Sequence, residues 1–298
     1  MIKVLLVEEN GADARDACDM LTEAGEGKIQ VTHVEKLSTA LRRLNRESFD
    51  AILLYGDLVD THGLDVLDLL QAALARMPIV MLMDQKDAGK ERRAIQRGIQ
   101  DVIVKKQWTA EQLVRSVRHA VDRKQAEQHL SYLAQYDPLT ALANRALFRD
   151  RLAHALAMAK RKKQEAGVVL LGLDRFKSLA DALGSDGCDA LLKETADRLK
   201  QCMREVDTVA RLGGDEFTCL LEGINCRADM EIVAKRVLTA MALPFQLKGQ
   251  EVTVTVSLGL AVYPLDGQHV DELLRRAHDA LTAAQESGGQ SYQFPASH

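Results

Sequence analysis

The sequence has no long uncharged apolar run, which excludes a membrane-spanning helix of ordinary length. It also lacks the marks of a signal peptide. Its opening MIKVLLVEEN puts acidic residues straight after one short apolar run, where secretion needs a longer run and a small-residue cleavage site. Cysteine is scarce: Cys18, Cys188, Cys202, Cys219 and Cys226 are odd in number and form no C-x-x-C pair. Neither a disulfide framework nor a zinc site is expected, and reduced, mostly buried thiols are. An excess of basic charge is missing too, the formal net charge being -4, which removes the electrostatic case for nucleic acid as the main partner. The local run from Lys160 to Lys163 reads as the solvated end of a helix. These absences point to a cytoplasmic protein with neither a membrane nor a nucleic-acid partner.

What is present is ordinary globular composition, 47% hydrophobic and 28% charged, in a chain of 298 residues, a length that suits two domains. In the first half, short β-branched or leucine-rich runs alternate with helix-period segments: Lys3 to Val7, Ile29 to Val34, Ala51 to Leu54, Ile79 to Met83 and Val102 to Val104. Five strands with helices between them predict an α/β, doubly wound parallel sheet over about residues 1–125. Residues 109–136 hold no glycine or proline and are rich in Ala, Arg, Gln and Glu, as a helical connector would be, until Asp137 and Pro138 break it. From 137 to 298 the pattern predicts an α+β domain with a mixed central sheet. It has helices from about Asn144 to Gln164, Cys188 to Met203, Ala228 to Ala242 and Asp271 to Ala284. A strand from Val168 to Leu173, a hairpin about Gly213-Gly214 and a strand pair about Lys248-Gly249-Gln250 complete it.

Glu8 and Glu9 follow the first strand and Lys105 follows the fifth, so both ends reach the carboxyl edge of the sheet, where ligands bind. Two acids and a lysine there suggest a cation or phosphoryl site. The strand order, this trio and the string DTHGLDVL resemble the receiver domain of response regulators, which implies a Mg²⁺-assisted phosphoaspartate switch. Aligned on the Asp60 to Gly63 turn, Tyr55 stands where the family has its phosphoacceptor and Met83 where it has the switch hydroxyl. A phenol is no carboxylate nucleophile, and Mg²⁺ loses its central ligand. Asp57 is the nearest substitute acid. The domain is therefore expected to serve docking or dimer contact.

In the second half, Arg211-Leu-Gly-Gly-Asp-Glu-Phe217 delivers two carboxylates on a glycine turn between apolar strands, which alone would fit a tight hairpin with a solvated tip. With Asp137-Pro-Leu-Thr140, Asp174-Arg-Phe-Lys177 and Val256-Ser-Leu-Gly-Leu-Ala261 in this order, it resembles the GGDEF domain of the diguanylate cyclase family. The resemblance implies two facing GTP-loaded domains that join their nucleotides into cyclic di-GMP with Mg²⁺. It assigns metal binding to Asp215, with Asp174 as a weak substitute, and a companion role to Glu216. It gives phosphate contact to Lys177, guanine contact to Asp189, and nucleotide approach to Phe176, Gly213 and Gly214.

The departures matter as much. Gly172 replaces the first metal aspartate, Ala180 the guanine-reading asparagine, and Gln285 and Gly289 the Lys and Arg that hold the triphosphate. Each charged hydrogen bond lost is worth roughly 1.5–3 kcal/mol, so GTP is expected to bind weakly or not at all. Arg204-Glu-Val-Asp207 falls where the family carries its inhibitory cyclic di-GMP site, with Arg236 as a candidate extra guanidinium; the bland reading is a surface ion pair. The expectation is a non-catalytic cyclic di-GMP signalling module acting as a homodimer or on a partner signalling protein, with Mg²⁺ required only if it is active. An active diguanylate cyclase and a nucleotide-independent scaffold stay open as alternatives.

Overall fold

The computed structural model describes residues 1–56, 65–105, 108–247 and 249–296, in two compact units, Met1–His129 and Leu130–His298. Asp57, the Asp60 to Gly63 turn and Lys248 lie outside the described residues.

The first unit runs β1 (Ile2–Val7), α1 (Gly11–Glu23), β2 (Ile29–Val34), α2 (Leu37–Leu44), β3 (Ala51–Tyr55), α3 (Asp65–Leu69), α4 (Gln71–Arg76), β4 (Ile79–Met83), α5 (Ala88–Gln96) and β5 (Asp101–Val104). Its sheet is wholly parallel in the order β2-β1-β3-β4-β5. The strands read as unbroken apolar runs because helices cover both faces. Along β1, Leu5 and Val7 pack with Leu37, Ile52 and Leu54, while Val4 and Leu6 pack on the other face with Leu21, Leu53 and Val117. Helix entries are fixed locally: Asn10 accepts from Ala12 N at 3.0 Å, and Asp87 from Gly89 N and Lys90 N at 2.9 and 3.0 Å.

Helix α6 (Ala110–Gln135) fills the place of the expected connector. It buries Leu113, Val117, Ala120 and Val121 in the first unit, and then Lys124 and Gln128 donate to the carbonyls of Leu74 and Arg76. Past that point Leu130 is exposed.

The second unit runs α7 (Arg145–Lys162), β6 (Glu165–Leu173), α8 (Phe176–Gln201), β7 (Thr208–Gly213), β8 (Glu216–Ile224), α9 (Arg227–Met241), β9 (Phe245–Leu247), β10 (Gln250–Val252), β11 (Val256–Tyr263), α10 (Val270–Glu286) and β12 (Tyr292–Gln293). The five-stranded sheet has the order β12-β11-β6-β8-β7, antiparallel except for the β11–β12 pair, so it is mixed as expected. One expected boundary is wrong. The helix placed at Cys188 starts at Phe176, because α8 is two helical stretches joined at Gly184 (φ 66°, ψ 178°), a conformation that favours glycine. All five cysteines are free thiols, and Cys188, Cys202 and Cys219 are buried. Among the described residues, no helix is long and apolar enough to cross a membrane.

Candidate functional site

At the carboxyl edge of the first sheet, strand ends bring Glu8, Tyr55 and Lys105 together, with Asp84 just past β4. Glu8 is only 1% exposed, and its Oε2 lies 2.5 Å from Lys105 Nζ. Asp13, on α1, brings Oδ2 to 2.8 Å from the same ammonium, and Asp84 Oδ1 stands 4.0 Å away. The Tyr55 ring lies beneath Lys105 Nζ at 3.8 Å, and its hydroxyl donates to Asp84 Oδ2. Burial alone would lower the Lys105 pKa, but hydrogen bonds to Asp13 and Glu8 outweigh it and hold it above the usual lysine value. Glu9 is exposed, so the second carboxylate against Lys105 is that of Asp13. Sequence reasoning missed Asp13 and Asp84. The signal for Asp13 was one acid in the first turn of a helix, which ordinarily reads as an exposed N-terminal charge.

In the second unit the end of β6, the start of α8, the β7–β8 turn and the end of α10 enclose a cavity of about 730 Å³. Asp174, Phe176, Lys177, Asp215, Gln285 and Gly289 are among its lining residues. The turn works because Gly213 (φ 133°) and Gly214 (φ 55°) both take positive φ. Its shape is held from outside by Arg211, which donates to Gly214 O through Nε and Nη2 at 3.1 and 2.7 Å. The same guanidinium donates through Nη1 to both oxygens of Asp137, at 3.1 and 3.2 Å. Asp137 also accepts from Thr140 N and Oγ1 at 2.9 and 2.6 Å. Thus the two motifs that are 74 residues apart form one clamp on the hairpin.

The cavity offers few ligands for a hard divalent ion, which takes six oxygens. Gly172 lies on β6 between Glu216 of β8 and Ser257 of β11. A Cβ built there would meet Gln285 Nε2 at 2.8 Å. Asp174 already serves the fold: Oδ1 accepts from Ser257 Oγ at 2.7 Å, and Oδ2 from Gln290 N at 3.0 Å. Glu216 Oε1 stands 3.7 Å from Nδ1 of His278 on α10, another residue the sequence did not single out. Among the described residues, no three or more His, Cys, Asp or Glu side chains are grouped as metal ligands would be. Asp189 is exposed on α8 beyond Gly184 and is not among the residues that line this cavity.

Arg204 and Asp207 lie apart from the cavity, in the turn between α8 and β7. Asp207 Oδ2 accepts from Arg204 N at 2.9 Å, and Asp207 N donates to Arg204 O at 3.0 Å, so the carboxylate fixes the turn while the Arg204 side chain is left exposed. Arg236 lies on α9, where its main-chain carbonyl accepts from Cys202 Sγ at 3.9 Å. Burial pushes the Cys202 thiol up, and the Arg236 charge partly offsets it.

Comparison with known proteins agrees with this architecture. The model of the receiver domain of response regulators matches residues 4–118, and that of the diguanylate cyclase GGDEF domain matches residues 134–291. A bifunctional diguanylate cyclase/cyclic di-GMP phosphodiesterase, MucR of Pseudomonas aeruginosa, is 39% identical over 175 residues, covering 59% of this chain and 25% of that protein. The diguanylate cyclase TpbB of the same species is 38% identical over 152 residues, covering 51% of this chain and 34% of that protein. The chain therefore spans a quarter to a third of the length of these relatives. The solved GGDEF domain of TpbB covers 54% of this chain and 94% of its own, at 35% identity and a TM-score of 0.53. The GGDEF model covers more than half of the sequence, and this chain, with its receiver domain, belongs to the diguanylate cyclase GGDEF domain family.

Proposed function

We propose that this chain is a cytoplasmic cyclic di-GMP signalling module that acts by ligand binding and protein contacts, as a homodimer or on a partner signalling protein, without cyclase turnover. In this reading residues 1–125 are a receiver no longer switched by phosphorylation, 109–136 a helical connector and 137–298 a degenerate GGDEF domain. The observation that carries it is at Gly172: where a metal-binding carboxylate would project, the neutral amide of Gln285 stands 2.8 Å from the Cβ position. Asp174 supports the reading as well, since each of its oxygens already accepts a hydrogen bond inside the fold. Asp215, Glu216 and Lys177 are then remnants insufficient for GTP and Mg²⁺, and Phe176, Asp189, Gly213 and Gly214 remnants of nucleotide contact.

The ligand site in this reading is Arg204 with Asp207 and Arg236, whose chemistry suits a cyclic dinucleotide: guanidinium groups for phosphate and guanine edges, a carboxylate for guanine N–H groups. The test is direct. Purified protein incubated with GTP and Mg²⁺ yields no cyclic di-GMP on nucleotide chromatography, calorimetry detects cyclic di-GMP binding, and Arg204→Ala abolishes that binding with the thermal melt unchanged. Turnover at ordinary cyclase rates, lost in Asp215→Ala, rejects the reading and restores the active cyclase. Absence of binding in wild type leaves the nucleotide-independent scaffold.

A further inference from the structure

The amino edge of the first sheet, where α4 ends just before β4 begins, carries a separate observation. There the helix that leads into the second unit is fastened by polar side chains. We propose that Lys124 and Gln128 form a staple through which α4 holds α6, so that a displacement of α4 is passed to the helix entering the second unit. This rests on contacts within the first unit and not on the cyclic di-GMP reading, so the two fail separately.

The burial pattern argues for it first. Leu113, Val114, Val117, Ala120 and Val121 lie in the core of the first unit, and Val121 is the last buried residue of α6. Most helical stability in proteins comes from packing an apolar face, and a short stretch without one is marginal in water. Something other than apolar burial therefore fixes the turns after Val121. Geometry supplies it. Lys124 and Gln128 stand four positions apart and so share one face of α6. Lys124 Nζ donates to Leu74 O at 2.9 Å, and Gln128 Nε2 to Arg76 O at 2.7 Å. Both acceptors belong to the end of α4, and the final four carbonyls of a helix have no partner within it. A lysine also suits a helix C-terminus, where the aligned peptide dipoles leave negative charge. The Lys124 side chain is only 15% exposed, so water competes weakly for its ammonium, and the exposed Glu127 brings Oε2 to 3.9 Å. α4 has only six residues, too few to persist on its own helical bonds, which makes it the movable partner. The fastening is mutual, since α4 gains donors it cannot supply and α6 gains an anchor past its last buried residue. By linkage, loosening either helix loosens the other.

Hydrogen exchange in the full chain tests this, because the amides of α4 and α6 are read separately from those of the sheet. Lys124→Met with Gln128→Leu removes both donors while keeping side-chain bulk and helix propensity near those of the wild type. The double variant should speed exchange at residues 122–129 and 73–77 together by about tenfold or more, with Ile2–Val7 and Ile79–Met83 unchanged. Ala75→Gly, an exposed change in α4 that removes neither donor, should speed exchange at 122–129 as well. Gln128→Leu alone, at an exposed position, replaces the double variant if that protein does not fold, and should show a smaller rise at the same two places. Wild-type exchange at 122–129 in these variants overturns the proposal. So does a rise confined to α6, which leaves α4 uncoupled, or a rise spread evenly over the sheet, which is a general loss of stability. A silent Ala75→Gly overturns the claim that α4 steers the helix.

Discussion

The most exposed weakness in the second unit is the clamp on its hairpin, and replacing Arg211 by methionine should open it. The side chains of Arg211 and Asp137 are only 12% and 17% exposed, so the pair is not a surface ion pair of negligible worth. Methionine keeps the apolar length of the side chain and removes four hydrogen bonds, two to the Asp137 carboxylate and two to Gly214 O. Hydrogen bonds to charged groups are worth about 1.5–3 kcal/mol each, but these share one guanidinium and Asp137 keeps its Thr140 bonds, so the expected loss is about 2–4 kcal/mol. At roughly 2–4 °C per kcal/mol for a domain of this size, the transition of this unit in scanning calorimetry of the full chain should fall by about 4–16 °C. Arg211→Lys, which keeps charge without the fork, should fall in between. Burial pushes the Asp137 carboxyl up, but hydrogen bonds from Thr140 and Arg211 outweigh it and hold it below its ordinary value near 3.8. A lowered pKa in the folded state means the stabilisation is complete above that ordinary value and fades as pH falls through the lower folded one. The gap between the wild-type and Arg211→Met melting temperatures should therefore narrow only in that acid range, without closing, because the two bonds to Gly214 O involve no titrating acid. A shift under about 2 °C at neutral pH, or additive effects of Arg211→Met and Asp137→Asn, would refute the clamp.

Gly259→Ala should be severe, because a Cβ there comes to 1.9 Å from Ala277 O and 2.4 Å from Leu281 N, both backbone atoms, so β11 and α10 must part. A cost of about 3 kcal/mol or more is expected in the same calorimetric transition, and a melt within 2 °C or so of wild type would contradict it. Gly172→Asp should fold, since the atom its Cβ meets first is the end of the exposed, flexible Gln285 side chain. It should not by itself produce cyclic di-GMP from GTP, because groups that act as a unit do not return singly; product at ordinary cyclase rates from this one substitution would show the remaining pocket to be intact.

The fold was legible where one local signal sufficed. The five strands of the first unit announced themselves as apolar runs because both faces of a parallel sheet are covered, and Val4 to Val7 are fully buried. The hairpin announced itself through Gly213-Gly214, since a turn with two positive φ angles narrows the choice of residue. The first stretch of α8 was hidden by Gly184, which reads as a terminator yet here only joins two helical stretches. Asp13 was hidden for another reason. Its partner Lys105 is 92 residues away, and no periodicity connects a helix's first turn to the end of a distant strand.

The second site shows the same limit more sharply. Counted along the sequence, Gly172, Ala180, Gln285 and Gly289 read as four separate departures from the resembled family. In space two of them are one change: a side chain at 172 would press on Gln285 Nε2 at 2.8 Å. Gly289 is bound to Asp174 in the same manner, for its φ is 78° and a Cβ there would meet Asp174 Oδ2 at 2.8 Å. That carboxylate oxygen is the one that holds Gln290 N. An arginine placed at 289 therefore strains the turn and presses on the aspartate that anchors it, whereas an aspartate placed at 172 displaces first the amide of the exposed Gln285 side chain. The two sides of the pocket are thus not equally tolerant: a side chain at 172 meets first the end of an exposed side chain, whereas one at 289 requires the turn after α10 to move.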